Sequence, residues 1–495
     1  MIVRNVTGFC ALALALAACS DQEQSLSPTF SAAASAVPAQ AGNVITDDPR
    51  AFAQAVRAAR NENELIVWLK DADLAAPGAS AFAENGGGLK IGLGRATAGG
   101  GRRHALGVAQ PKTQARAAVR TALSAHGLRP YTEGAVLPVM MVRVPEQALD
   151  AVVRSLLNNP NVDWVEANQR HPVSLLAGPL GTNPVDIKHT LHNVEGAWDY
   201  SRGSGVKIGV LDTGLAADAY YNTDPDESYV GPYGVNKLGF VDDYPGCGDG
   251  STAQRTGACE WRDDHGHGTL MTGLAGALDN NVGYVGMAPQ AIVYSMKTLF
   301  NTYMISNNNC GGPEIRDCIE DDDFTIAVDW AANNGLDVIS MSFATNSGSS
   351  VQTALSRAYT TYDVLPMAAT GNVSGQAYYP AGYTYVLGVG GVNEYGASIY
   401  RDNNEDIAAF SGGGTVWPGS CSSSYPSTRC TLGGYSALAS YEGGTSSSTA
   451  NAAGIAALVR SYNPGLTAGQ VWSRLVAASP GTAHQLDALV AVRGY

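Results

Sequence analysis

The stretch Ile208-Gly-Val-Leu-Asp-Thr-Gly214 decides the fold of this chain. Residues 206–211 form an apolar run of the kind found in strands that are buried on both faces of a parallel sheet. Similar runs recur, with helical patterns between them, at 291–296, 337–341, 364–369 and 386–389. This alternation predicts a doubly wound, mostly parallel α/β domain. Such sheets hold their ligand sites beyond the carboxyl ends of the strands, which is where Asp212 stands.

A smaller unit is predicted in front of this domain. Strand patterns at 64–71, 136–144 and 162–166 alternate with helical patterns at 115–125 and 146–157. The order strand, helix, strand, helix, strand predicts a small α+β domain of about a hundred residues.

The first residues have the pattern of an export signal. Arg4 precedes an apolar run from Val6 to Ala18, which is too short to span a bilayer. The run ends in Leu16-Ala-Ala-Cys19, which resembles a bacterial lipobox and predicts that Cys19 is lipidated; the alternative is an ordinary signal peptide that contains a cysteine. Residues 20–60 are rich in Ala, Ser, Gln and Pro and predict a flexible linker. No second long apolar run follows, so no transmembrane helix is expected.

Charge and cysteine content narrow the function further. The chain has 44 acidic and 30 basic residues, a formal net charge of −14, which argues against nucleic-acid binding. Six cysteines remain beyond the signal and the lipobox, and an even count in an exported protein predicts disulfides. Neighbour pairing is the simplest of fifteen connectivities, and a metal site is disfavoured because no Cys-x-x-Cys spacing occurs. The predicted bridges are Cys247–Cys259, Cys310–Cys318 and Cys421–Cys430.

Four segments carry side chains suited to catalysis. Asp212 follows an apolar strand, and Asp264-His-Gly-His267-Gly-Thr269 leads into a small-residue helix. Ala368-Ala-Thr-Gly-Asn372 follows another strand, and Gly443-Gly-Thr-Ser446 opens a second small-residue helix. Each segment alone is common, but their order matches the Asp-His-Ser order of one convergent form of the serine-protease triad. Together they resemble the subtilisin-like serine proteases, the subtilase family (peptidase S8).

The resemblance implies a role for each matching residue. Ser446 would be the nucleophile, His267 the general base, and Asp212 the group that orients the imidazole. Asn372 would donate its amide N–H to the oxyanion, together with the backbone N–H of Ser446. The other implied contacts are a strand that pairs with the substrate backbone, Ser342, Phe343 and Ala344, and Tyr378 near the pocket for the P1 residue. Apolar or aromatic P1 residues are favoured by the same resemblance.

The N-terminal unit also resembles a known module. Asn161-Val-Asp-Trp-Val-Glu-Ala-Asn168 is similar to the last strand of the inhibitory prodomains, inhibitor I9-like and ferredoxin-like, that precede subtilisin-like domains. The expected organisation is a lipoprotein signal peptide (1–19), a linker (20–60), a prodomain (61–177) and a catalytic domain (178–495). The extended stretch from Gln169 to Ala177 would first lie in the active site and then be cut by the enzyme itself.

These resemblances predict a monomeric, exported enzyme. Its precursor would be a lipoprotein held at the membrane, and the mature enzyme would be periplasmic or extracellular. Its partners would be protein or peptide substrates and its own prodomain, and its chemistry would need no cofactor.

A structural calcium ion is a further expectation from the resemblance. Leu278-Asp-Asn-Asn-Val-Gly-Tyr284 resembles the family's calcium loop. The carbonyl groups of Leu278, Val282 and Tyr284 and the side chain of Asn280 would be the ligands. A remote Asp ligand is not evident, because Tyr221 stands near its place, and a loop kept for the fold alone remains the alternative.

Three other functions are alternatives to a serine endopeptidase. A sedolisin-like acid peptidase would need Glu in place of His267 and Asp in place of Asn372. An α/β-hydrolase esterase would need a Gly-x-Ser-x-Gly elbow, which the chain lacks. A catalytically silent, surface-binding lipoprotein on the same fold stays open, since a fold alone does not prove a function.

Overall fold

A computed structural model gives the fold. It describes residues 64–70, 113–175, 187–215, 236–241, 261, 263, 265–279, 285–301, 317–345, 348–375, 378–400, 404–413, 418–421, 430–432 and 444–494. The predictions for the signal peptide, Cys19 and the linker lie outside these residues.

The N-terminal unit is a four-stranded antiparallel sheet with two helices. Its elements are β1 (Glu64–Leu69), α1 (Thr113–Ser124), β2 (Thr132–Glu133), β3 (Val139–Arg143), α2 (Leu149–Leu157) and β4 (Val162–Ala167). The strand order is β2-β3-β1-β4, which is the ferredoxin-like arrangement expected from the sequence. The two-residue strand β2 was not predicted, because so short a segment carries no hydrophobic periodicity.

Both faces of this small sheet are covered. Side chains alternate along β1, so Leu65 and Val67 pack with residues of α1 and α2, while Ile66 and Trp68 pack in a second core with residues of the larger domain. All four side chains are at most 1% exposed. Burial of an aliphatic or aromatic side chain stabilises by roughly 1.5–3 kcal/mol, so the second face contributes substantially to docking.

The next strand, β5 (Arg170–Leu175), leaves the N-terminal unit and joins strands of the larger domain. The strands that follow are β6 (Lys207–Asp212), β7 (Asn236–Gly239), β8 (Ile292–Lys297), β9 (Leu299–Asn301), β10 (Asp317–Glu320), β11 (Val338–Met341), β12 (Phe343–Ala344), β13 (Leu365–Ala369), β14 (Leu387–Val392), β15 (Ser398–Tyr400), β16 (Ile407–Phe410), β17 (Pro418–Cys421) and β18 (Cys430–Leu432).

Helices flank these strands. They are α3 (Ile187–Leu191), α4 (Val194–Trp198), α5 (His267–Gly276), α6 (Asp321–Asn333), α7 (Ser349–Thr360), α8 (Thr445–Tyr462), α9 (Ala468–Ala477) and α10 (Ala488–Arg493). Helix α8 is buried from Thr445 to Arg460, which suits its many small residues. No helix among the described residues is long and apolar enough to cross a membrane.

The main sheet confirms the predicted α/β fold. Its strand order is β15-β14-β13-β11-β6-β8-β7, with β16 beside β14, and only β15 runs antiparallel. The predicted buried runs appear as β6, β8, β11, β13 and β14. One face of the sheet packs against α5, α8 and α9 and the other against α6 and α7.

A separate antiparallel sheet joins the two parts of the chain. Its order is β12-β5-β10-β9, so β5 lies between two strands that come from the larger domain. In the register, Leu175 pairs with Phe343 and Ser174 with Ala344 on one side, and His171 pairs with Ile319 on the other.

Candidate active site

Asp212 and His267 form a hydrogen-bonded pair. Asp212 ends β6 and His267 begins α5, and the imidazole Nδ1 lies 2.9 Å and 3.0 Å from the two carboxylate oxygens. The side chains are 1% and 0% exposed, respectively. Because an ionised carboxylate only accepts hydrogen bonds, this geometry assigns the imidazole proton to Nδ1 and leaves Nε2 as the basic nitrogen.

A second buried carboxylate, Asp263, organises the residues around this pair. It accepts hydrogen bonds from the hydroxyl of Thr213 (2.8 Å) and from the backbone N–H groups of His265 (3.0 Å), Gly266 (2.7 Å) and Thr269 (3.0 Å). The hydroxyl of Thr269 donates a fifth, at 2.6 Å. Asp263 therefore ties the end of β6 to the first turn of α5.

The charge of Asp263 is stabilised where it is buried. Burial alone would raise the pKa of Asp263, but the Thr269 hydroxyl, backbone N–H groups and Lys297 outweigh it and hold that pKa below its ordinary value. Lys297 is fully buried as well, and its Nζ donates to the carbonyl oxygen of Thr213 at 2.7 Å. A buried cation thus stands beside the two buried carboxylates.

Helix α5 approaches the Asp212 turn very closely. The N–H of Gly268 donates to the hydroxyl of Thr213 at 2.8 Å. A Cβ atom at Gly268 would lie 2.4 Å from the carbonyl oxygen of Gly214. Any side chain there would push the helix, and His267 with it, away from Asp212.

Ser446 lies in the first turn of α8. Its hydroxyl donates to the carbonyl oxygen of Ser342 at 2.7 Å, and the hydroxyl of Ser342 donates to the carbonyl oxygen of Ser446 at 3.0 Å. Ser342 follows β11 directly, at the point where Met341 pairs with Leu211 of the neighbouring strand. Ser446 is therefore attached to the same edge of the sheet at which Asp212 ends its strand.

Thr445 fixes the amide of Asn372. The Oδ1 atom of Asn372 accepts hydrogen bonds from the N–H of Thr445 (2.9 Å) and from its hydroxyl (3.1 Å). The N–H of Gly371 donates to the same hydroxyl at 3.2 Å. Thr445 therefore holds the carbonyl end of the Asn372 amide, and the oxyanion role of its NH₂ group stays a prediction.

The predicted substrate strand pairs with β5. Phe343 and Ala344 form β12, and the side chain of Phe343 is buried against Phe324, with ring centroids 5.7 Å apart. The strand thus offers its backbone, and not the Phe343 side chain, to the neighbouring chain. Tyr378 is half-buried and packs against Ala344 and Ala369.

The structure describes only some of the remaining residues considered for the site. His265 is exposed, as expected for a loop residue beside the base. Leu278 is described and half-buried, whereas Asn280, Val282, Tyr284 and Tyr221 lie outside the described residues, so the calcium site stays a prediction.

The disulfides also stay predictions. Cys318 is disulfide-bonded, and Cys421 and Cys430 lie directly opposite each other in the β17–β18 pair. Cys247, Cys259 and Cys310 lie outside the described residues.

Two organising residues were missed by the sequence reasoning. Asp263 precedes the quoted histidine segment by one position, and Thr445 was quoted only as part of the serine segment. An acidic residue four positions before His267 was a signal that could have been followed, because a carboxylate can cap the N–H groups at a helix start.

The chain resembles proteins of known family. The model of the subtilase family, peptidase S8, matches residues 203–491. Subtilisin DY of Bacillus licheniformis is 33% identical over 285 residues, which is 55% of this chain and 83% of that protein. The M-protease of Shouchella clausii is 29% identical over 351 residues, which is 70% of this chain and 75% of that protein.

A solved structure agrees in fold. Fervidolysin of Fervidobacterium pennivorans, a keratinolytic enzyme related to subtilisin, superposes with a TM-score of 0.57 at 17% identity, covering 87% of this chain and 61% of that one. At this identity the likeness concerns the fold alone. The family match covers residues 203–491, which is more than half of the chain, and the fold agrees with it. The chain therefore belongs to the subtilase family of serine peptidases.

Proposed function

We propose that this peptidase is an exported serine endopeptidase that is made as a self-processing zymogen. The observation that carries the proposal is the position of β5, an extended strand between β10 and β12. Strand β12 directly follows Ser342, to which Ser446 is hydrogen-bonded, and Ser342 follows the end of β11, which is paired with β6, the strand that ends at Asp212. An extended peptide added to a strand edge is a common mode of substrate binding, because backbone hydrogen bonds hold it.

The proposed chemistry is that of the serine-protease triad, and the Asp212–His267 pair supports it. Ser446 Oγ attacks the scissile carbonyl carbon while Nε2 of His267 takes its proton, and Asp212 stabilises the imidazolium that forms. The oxyanion accepts hydrogen bonds from the Asn372 amide and the Ser446 N–H. His267 then gives its proton to the leaving amine, which leaves an acyl-enzyme. A water molecule, activated by the same imidazole, hydrolyses the acyl-enzyme, so that no cofactor is needed for any step.

The N-terminal unit has the contacts expected of a bound inhibitor. Its Glu166 carboxylate accepts hydrogen bonds from the N–H groups of Ser349 and Ser350 and so caps α7. In the reverse direction, Asp329 of α6 accepts three backbone N–H groups of residues 135–137. Each part of the chain thus satisfies polar groups of the other, in addition to the apolar contact made by Ile66 and Trp68.

The export features complete the proposal. Lipidation of Cys19 would hold the precursor at a membrane, and cleavage near Ala177 would release the catalytic part to the periplasm or the outside. The three neighbouring disulfides and the calcium loop would stabilise the released, monomeric enzyme. Support for the disulfides comes from the bonded state of Cys318 and from the facing of Cys421 and Cys430.

Self-cleavage is the first test. Ser446→Ala removes the nucleophile, so we expect the variant to stay full length in the membrane fraction and to hydrolyse no casein. The wild type should yield soluble protein of catalytic-domain size, with a new N-terminus close to Gly178. The control is Ser461→Ala, at the exposed end of the same helix, which should be processed normally. Equal processing of wild type and Ser446→Ala would contradict the proposal.

Asp263 provides a test of how the triad is positioned. We expect Asp263→Asn to lower kcat at least tenfold while KM changes less than about threefold, because the substitution disturbs the Asp212–His267 alignment and not the substrate strand. The matched control is Asp337→Asn, which lies at the opposite end of β11 and binds Lys207 and Arg460. Melting temperatures identify folded variants. A change in KM alone, with kcat intact, would refute the positioning role.

Docking of the N-terminal unit should weaken as pH rises. Burial and the charge of Asp321 raise the pKa of Glu166 from 4.5 to about 7. Burial would lower the pKa of His171, but Asp321 outweighs it and raises that pKa. The docked state therefore holds protons that the separated parts release. The loss of docking from Glu166 runs from about pH 4.5 to about pH 7, and the loss from His171 begins near its ordinary pKa of 6.5 and continues upward.

The measurement is release of the cleaved N-terminal unit from an immobilised catalytic part. We expect the apparent Kd to be at least tenfold higher at pH 8 than at pH 5. Glu166→Gln stays neutral and should flatten this dependence, whereas Asp163→Asn, exposed on the same strand, should not. An unchanged pH dependence in Glu166→Gln would show that another group controls release.

A further inference from the structure

A slot opens beside Ser446 where two parallel strands separate. Strands β11 and β13 are paired up to Met341 and Ala368. Beyond this point the segment after β11 turns and pairs with β5 through Ala344. The segment after β13 turns at Gly371, whose N–H donates to the hydroxyl of Thr445. One end of the slot between these segments is closed by a hydrogen bond from the N–H of Thr345 to the carbonyl oxygen of Tyr379, at 2.8 Å.

The ring of Tyr378 fills this slot. It packs against the methyl groups of Ala344 and Ala369, which belong to the two separating chains. It also lies close against Gly371, since a Cβ atom built there would be 2.3 Å from Cδ2 and 2.5 Å from Cε2 of the ring. Gly371 has a φ of +110°, so glycine suits both the backbone and the close ring contact.

The slot is the space that a P1 side chain needs. A substrate that pairs with β12 as β5 does, and whose carbonyl reaches Ser446 and Asn372, lies across the mouth of the slot. Side chains of an extended chain alternate between its two faces, and the residue before the scissile bond then extends between Ala344 and Gly371. A bulky side chain would compete there with the ring of Tyr378.

We propose that Tyr378 closes this pocket and restricts the peptidase to small residues, Ala, Gly or Ser, before the scissile bond. The inference rests on the proposed endopeptidase function and gives it a substrate class. It narrows the apolar or aromatic preference that the sequence resemblance favoured, because it keeps Ala and excludes the large apolar and aromatic residues. A misfit of a single methylene group in a pocket changes kcat/KM by roughly 10–200-fold, so the exclusion of a phenyl ring should be large.

The test compares two peptide p-nitroanilides that differ only at P1, succinyl-Ala-Ala-Pro-Ala and succinyl-Ala-Ala-Pro-Phe. With mature wild type, we expect kcat/KM for the Ala substrate to exceed that for the Phe substrate at least tenfold. Tyr378→Gly empties the slot and should shift this ratio towards Phe at least tenfold. Tyr378→Phe keeps the ring and should keep the wild-type ratio, as should Tyr395→Ala, since Tyr395 is an 83% exposed tyrosine elsewhere on the surface.

A second measurement covers the case in which Tyr378→Gly does not fold. Mass spectrometry of a peptide library digested with wild type should find cleavage after Ala, Gly and Ser. Frequent cleavage after Phe, Tyr or Leu, or an unchanged ratio in folded Tyr378→Gly, would overturn the inference and leave the peptidase proposal standing. If the wild type cleaves neither p-nitroanilide nor any library peptide, the proposed function itself fails, and this inference with it.

Discussion

The site depends on one fully buried carboxylate that lies outside the proposed triad. Asp263 accepts five hydrogen bonds, one from Thr213 beside Asp212 and four from residues 265–269 around the start of α5. These bonds set the distance between Asp212 and His267. A hydrogen bond to an ionised group typically contributes about 1.5–3 kcal/mol, so such a cluster holds its geometry against thermal motion. The cost of burying the charge is offset by those bonds and by Lys297. Gly268 is also required for this arrangement, because only a residue without a side chain lets α5 lie so close to Gly214.

Buried carboxylates also lie between the N-terminal unit and the larger domain. The sheet of the N-terminal unit shares one apolar face with α6 and α7, and carboxylates of both parts meet at the junction. Oxygens of Glu64, Glu320 and Asp322 lie within 4.8 Å of one another, and the guanidinium of Arg143 pairs with Glu64. At the same junction the pKa of Glu166 is raised to about 7 by burial and by the charge of Asp321, so protonation of Glu166 affects the contact. The contact between the N-terminal unit and the larger domain can therefore be weakened by a change of pH alone.

Much of the fold could be predicted, because its signals are local. Buried parallel strands have long apolar runs, so β6, β11 and β13 were recognised to within a few residues. The antiparallel sheet formed by β5, β9, β10 and β12 was predicted only in part. The resemblance indicated an extended segment at 169–177 and a pairing strand at 342–344, whereas β9 and β10 are three and four residues long and carry too little periodicity to be recognised. The predicted site residues came from motif sequence and order. Asp263 had a local signal, its position four residues before the start of α5, whereas the roles of Thr445 and Tyr378 come from contacts between segments that are distant in sequence.

The proposed mechanism requires that His267 and Asp212 activate Ser446 and no other serine. The most direct measurement is labelling of the mature protein with a fluorophosphonate, followed by peptide mapping and by rate measurements on folded variants. The account predicts a single label, on Ser446, and a rate at least a thousandfold lower in His267→Ala. A label on another serine, or an equal rate in folded His267→Ala, would contradict it.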